Sequence, residues 1–186
     1  MIRVGLIGED PNDTQSIKNL LGRKYEDLYF LPMLKGIRGH QLDHAKTARA
    51  IAQEMKTAAC KLIVFIRDLD GAASQRHLLK AKQDWFKKHA QGTDVLLLNI
   101  WELEALIFAD IETFNKAYSC AINFKGDPMG IEKPKEKLKE KTAKGKKKYH
   151  ESHAPDIFKI LQIEELAKNC KYFKDFLAEF TEKVSA

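Results

Sequence analysis

The chain has no apolar run near the roughly 20 residues that cross a bilayer, so a membrane-spanning class is not expected. Its first residues, Met1-Ile2-Arg3-Val4-Gly5-Leu6-Ile7, lack the longer apolar stretch and cleavage site of a secretory leader and read as a first strand. Cysteine is scarce. The three thiols, Cys60, Cys120 and Cys170, form no CxxC pair, and an odd count does not build a disulfide framework. No histidine stands at zinc-ligand spacing from a cysteine. There is no internal repeat. These absences point to a reducing, cytoplasmic setting and a fold held by its own core.

What is present suits one domain of 186 residues, with 44% hydrophobic and 31% charged residues. The net charge of +6 is local. Between Lys133 and Lys148 nine lysines face only Glu136 and Glu140, so the rest of the chain is one charge short of neutral. This segment reads as a loop running from about Cys120 to Ser152, because lysine, glycine and proline dominate it and no period emerges. Two readings of its charge stand side by side: a solvated loop, or a track for a nucleic-acid backbone in which Lys144, Lys146, Lys147 and Lys148 bind phosphates.

Four apolar runs predict strands: Ile2–Ile7, Leu28–Leu34, Leu62–Ile66 and Val95–Ile100. Helical patterns separate them. Asp13 or Thr14 caps a helix that Gly22 stops; a second runs from about Leu42 to Ala58, a third from Ser74 to Ala90, and a fourth from Trp101 to about Tyr118. Gly36-x-x-Gly39, in the loop before the second helix, is read as turn chemistry. Strands apolar throughout that alternate with helices predict a mainly parallel four-stranded α/β sheet with helices on both faces. After Pro155, Ile157, Ile160 and Leu161, then Phe173, Phe176, Leu177 and Phe180, predict a small C-terminal helical layer. The expected division is a core over residues 1–120 and a basic loop with a helical extension, packed on the core, over 121–186.

In an open parallel sheet, ligands bind beyond the carboxyl ends of the strands. Three of those ends are acidic: Glu9 and Asp10 after strand one, Asp68 and Asp70 after strand three, Glu102 and Glu104 after strand four. Acids crowded on one rim raise each other's pKa, and a hard divalent cation relieves that repulsion. An acid at a strand end also caps the next helix, which is the reading given to Asp13 and Asp110. Arg67 beside the acids balances their charge, and Trp101 is read as core.

Glu9 after strand one, with Asp68-x-Asp70 after strand three, resembles the Toprim domain of topoisomerases, primases and related nucleases. The stretch Glu102-Leu103-Glu104-Ala105-Leu106-Ile107-Phe108-Ala109-Asp110 is similar to a motif of a Toprim-like family of bacteria and phages. The late Lys148-Tyr149, His153-Ala154-Pro155 and Phe173 also resemble that family, some of whose relatives lie near phage-defence genes and look akin to overcoming-lysogenization-defect nucleases. The resemblance implies a Toprim-like, Rossmannoid fold and a nuclease in which Glu9, Asp68, Asp70 and Glu104 bind Mg²⁺ or Mn²⁺ and act on nucleic acid. The pattern departs at Asn12-Asp13, where a second glutamate is common, and at Leu106, where tryptophan is common. The first departure bears on whether a second metal binds. Other readings stay open: a non-catalytic nucleic-acid-binding subunit working with a partner protein in a defence complex, or a phosphatase or phospho-receiver that uses Asp68.

Overall fold

The structure, a computed structural model, describes residues 1–34 and 39–186. The Gly36 turn expected before the second helix lies outside the described residues. Strands β1 (Ile2–Gly8), β2 (Leu28–Pro32), β3 (Leu62–Asp68) and β4 (Val95–Asn99) form one sheet in the order β2-β1-β3-β4. Every neighbouring pair is parallel. Aliphatic side chains on both sides of each central strand explain this arrangement, since a parallel sheet is covered on both faces.

The two faces are unequal. Val4, Leu6, Val64, Ile66, Val95 and Leu97 belong to a large apolar cluster that also takes in α1 (Pro11–Leu21) and the C-terminal helices. Ile7, Ile63 and Phe65 point to the other side, into a smaller cluster under α2 (Ala45–Ala58) and α3 (Arg76–His89), where Trp85 and Phe86 meet Phe65 edge-on. No residue of α3 is fully buried. Among the described residues, no helix is long and apolar enough to cross a membrane.

Helix α1 starts earlier than the capping pattern predicts. Asp10 is its N-cap, accepting from the Asn12 amide at 2.8 Å, and Pro11 sits at the first helical position. Asp13 therefore has no capping task. Strand β3 also runs further than its apolar stretch, through Arg67 and Asp68.

The single helix expected from Trp101 to Tyr118 is interrupted. Trp101 adopts a left-handed backbone (φ 65°) and is followed by α4 (Ala105–Ala109) and α5 (Ile111–Tyr118). Asp110 divides the two helices. Its Oδ1 accepts from the Thr113 amide at 3.4 Å and its Oδ2 from the Gln162 amide at 2.8 Å, so it does act as the expected cap.

The lysine-rich segment is not one long loop. Pro134 starts α6 (Pro134–Thr142), which buries Pro134, Leu138 and Thr142 at four-residue spacing. Thr142 Oγ1 donates to the Leu138 carbonyl and accepts from the Tyr149 amide, both at 2.8 Å, which fastens the turn carrying Lys144 to Lys148. Beyond it lie α7 (Ala154–Phe158), α8 (Ile163–Asn169) and α9 (Lys171–Ser185). Their apolar faces join the same cluster as the sheet. Asn19 Nδ2 donates to the Pro155 carbonyl at 2.7 Å, and Lys61 Nζ to that of Val184 at 3.1 Å, so polar bonds also bind this layer to the core.

Candidate functional site

Parallel pairing places the carboxyl ends of β1, β3 and β4 on one rim, with Asp68 opposite Asn99 in the β3–β4 register. A cleft of about 270 Å³ opens there. Glu9, Asp10, Asp13, Asp68 and Glu104 line it, together with Glu151 and Lys135 from the C-terminal part of the chain. Of the four acids expected from the sequence, Glu9, Asp68 and Glu104 thus come together. Asp70 does not line the cleft. It follows β3 in a left-handed conformation (φ 56°), and its backbone N–H donates to the Trp101 carbonyl at 3.0 Å. Local burial, then the nearby Glu9 charge, push its carboxyl upward.

Each acid has a distinct setting. Asp68 ends β3 and accepts from Asn99 Nδ2 at 3.0 Å. Burial, then the charges of Asp13, Glu104 and Glu9, hold its carboxyl well above the ordinary aspartate range. Asp13 projects from the first turn of α1. Burial, then Glu104 and Asp10, push it up to about 8, against the opposing pull of Lys135. Glu104 is 6% exposed and accepts from Tyr149 Oη at 3.1 Å. Burial raises its pKa, while Lys135 and the Tyr149 bond counter the rise. Tyr149→Phe is expected to remove about 1 kcal/mol of stability by taking a donor from a buried acceptor. Thermal melting checks this as a fall of about 3 °C.

Glu9 is balanced from behind. Arg67 Nε at 2.5 Å and Lys82 Nζ at 2.9 Å both grip its Oε1. Arg67 is fully buried, pairs with Asp43 through Nη2 at 2.8 Å, and stacks 4.4 Å from the centre of the Trp85 ring. It thereby ties β3 to Glu9, to the segment before α2 and to α3. The charge-balancing role expected of Arg67 is what the geometry displays.

Lys144, Lys146, Lys147 and Lys148 are exposed and do not line the cleft. Lys147 lies over the Tyr118 ring, 4.4 Å from its centre. The lysine that enters the cleft is Lys135. Its Nζ lies 3.5 Å from Glu102 Oε1 and 3.7 Å from Glu151 Oε2, and its backbone N–H donates to Glu102 Oε2 at 3.2 Å. Burial works against its charge, but Glu104, Glu102, Glu151 and Asp68 together hold its pKa above the usual lysine value. His153 takes no part in the cleft; its Nδ1 bonds to Tyr118 Oη at 2.9 Å. Asp13, Lys135 and its partner Glu151 are cleft residues that sequence reasoning missed. The spacing of Asp10-Pro11 was the available signal for the first, since a proline at the opening position of a helix places the cap one residue before it. Lys135 carried no signal beyond its place in a lysine run.

Among the described residues, no three histidine, cysteine or carboxylate side chains already stand in metal-ligating geometry. The donor chemistry nonetheless fits a hard divalent cation. Asp13, Asp68 and Glu104 offer oxygen ligands from three elements, and their proximity is unfavourable without a positive charge. The buried Asn99, which donates to Asp68, leaves its own Oδ1 with no hydrogen-bond donor.

Fold and site together define an open parallel α/β protein with a mutually repelling carboxylate set on the carboxyl rim of its sheet. The chain belongs to the family described as a domain of unknown function, DUF4276, whose sequence profile matches residues 9–181. No curated protein and no solved structure matches it.

Proposed function

We propose that this chain is a Toprim-type nuclease that uses Mg²⁺ or Mn²⁺ to hydrolyse phosphodiester bonds of nucleic acid. The observation that carries the reading is the convergence of Asp13, Asp68 and Glu104 in one cleft, three carboxylates from distant parts of the sequence whose pKa values burial raises, with Glu104 adding to the rise at Asp13 and Asp68. Those three, with Glu9, are the residues that would hold the ion. When bound, the ion supplies an activated water and shields charge on the scissile phosphate. Glu9 is positioned by Arg67 and Lys82, which hold its carboxylate at the cleft wall. Asn99 orients Asp68, and Tyr149 orients Glu104.

The exposed lysines of the turn after α6 offer the nucleic-acid contacts. Replacing Lys144, Lys146 and Lys148 together by Gln is expected to weaken duplex binding about tenfold at low salt. The plot of log affinity against log salt should lose about 0.9 in slope for each phosphate contact removed, or about 2 to 3 in all. Fluorescence anisotropy at a series of salt concentrations checks both numbers.

The enzymatic reading is tested by incubating the chain with labelled single- and double-stranded DNA and RNA, in Mn²⁺ and in EDTA. Products that form only with metal are expected, and intact substrates throughout would overturn it. A second reading is a nucleic-acid-binding subunit of a defence complex without catalysis of its own. It draws on Lys135, which already offsets part of the cleft's charge, and predicts binding with no turnover. A phospho-accepting role for Asp68 has less support, because Asn99 ends β4 where a receiver needs a hydroxyl.

A further inference from the structure

Lys135 is set apart from the lysines around it by how the chain delivers it. Lys133 takes a left-handed backbone (φ 48°) and Pro134 then starts α6, so the helix opens at the cleft. Its first turn is anchored there by the Lys135 N–H to Glu102 Oε2 bond. Lys137, Lys141, Lys144, Lys146 and Lys148 face solvent, whereas Lys135 is half-buried and is the one cation among the residues that line the cleft. Behind the wall, Arg67 and Lys82 are committed to Glu9. Asp13, Asp68 and Glu104 thus have Lys135 as the positive charge that shares their cavity. Asn99, outside the cavity lining, donates its side-chain amide to Asp68 from behind.

An ammonium and a divalent ion repel each other, and within a half-buried cleft that repulsion is stronger than in water. We propose that Lys135 is the resident cation of the cleft and that a divalent metal ion displaces it on entry. The inference rests on the metal-site reading and adds an exchange to it. The ammonium is held by two carboxylates at 3.5 and 3.7 Å, distances at which it can swing out toward solvent when the ion takes over the charge of Asp68 and Glu104.

Two measurements test the exchange. Mn²⁺ alone is titrated calorimetrically into the full chain and into Lys135→Met. The variant is expected to bind about tenfold more tightly, because the ion no longer competes with a fixed charge. On the wild-type chain, which needs no variant to fold, lysines are methylated by formaldehyde and borohydride with and without Mn²⁺ and mapped by mass spectrometry. Labelling of Lys135 is expected to rise several-fold with Mn²⁺, while exposed Lys137 stays constant. Wild type that binds Mn²⁺ with Lys135 labelling unchanged overturns the exchange and leaves the metal site standing. Equal or weaker binding by Lys135→Met likewise overturns it. If neither protein binds Mn²⁺, the exchange and the metal-site reading both fall.

Discussion

Asp68→Asn is expected to lower metal-dependent cleavage by about 10³-fold or more, about 4 kcal/mol of transition-state stabilisation, while the chain stays folded. The reasoning begins with the strand. Asp68 is the last residue of β3, paired in register with Asn99, and its carboxylate accepts the Asn99 amide. Asparagine has the same shape, and its Oδ1 can accept the same bond, so the strand end and the β3–β4 pairing are preserved. What disappears is a hard anionic ligand at the centre of the acidic set. What also disappears is repulsion: burial and the charges of Asp13, Glu104 and Glu9 disfavour the ionised Asp68. In EDTA at neutral pH the variant should therefore melt higher than wild type. A gain of about 1 kcal/mol corresponds to roughly 2 to 4 °C for a chain of this size. Together, lost activity and gained stability separate a functional carboxylate from a structural one. A variant that cleaves within threefold of wild type would remove Asp68 from the chemistry, and one that melts much lower would mean that its charge is structurally needed.

Much of this site follows from strand order. Ile2–Ile7, Leu62–Ile66 and Val95–Ile100 are apolar throughout, and only a sheet covered on both faces explains such runs. Parallel strands then bring Glu9, Asp68 and Glu104 to one rim whatever their separation in sequence. The misreadings lie where one residue decides the outcome. Asp10 takes the cap of α1, so Asp13, three residues on, turns into the cleft instead of closing the helix. Asp70 shares the Asp-x-Asp spacing and takes a left-handed backbone; it is not among the residues lining the cleft, though its carboxyl feels the Glu9 charge. Helix α6 is hidden because Pro134, Leu138 and Thr142 are its whole buried face, and lysines and glutamates fill the rest. A stripe that thin gives no apolar period. Lys135 is illegible for the same reason, because which lysine of a run turns inward depends on the rotation of that helix against Glu102.

The acidic set also makes metal-free stability depend on pH in a direction opposite to that of a chain stabilised by carboxylate salt bridges. Asp13 is the group to follow, its pKa being raised from 3.8 to about 8. A carboxyl whose folded pKa exceeds its unfolded value contributes stability that is fully present below the unfolded value. That stability is lost as pH rises through the folded one. In EDTA the melting temperature should fall between pH 5 and pH 8.5. Asp68 and Glu104, shifted the same way, add to the fall. Lys135, raised above the usual lysine value, keeps its charge throughout this window and contributes no slope. Asp13 retains some contact with solvent, so its full shift overstates the effect. About 2 kcal/mol, or roughly 6 °C, is the expected loss across the window. Asp13→Asn should flatten much of this dependence, which assigns the slope to this residue. Mn²⁺ in hundredfold excess over its dissociation constant should add about 2.7 kcal/mol, and more of it at the alkaline end, where the carboxylates are ionised before the ion arrives. A wild-type melting temperature that is level in EDTA from pH 5 to 8.5, or a slope that Asp13→Asn leaves intact, would mean that these carboxylates do not repel one another, and the reason for a cation in the cleft would be gone.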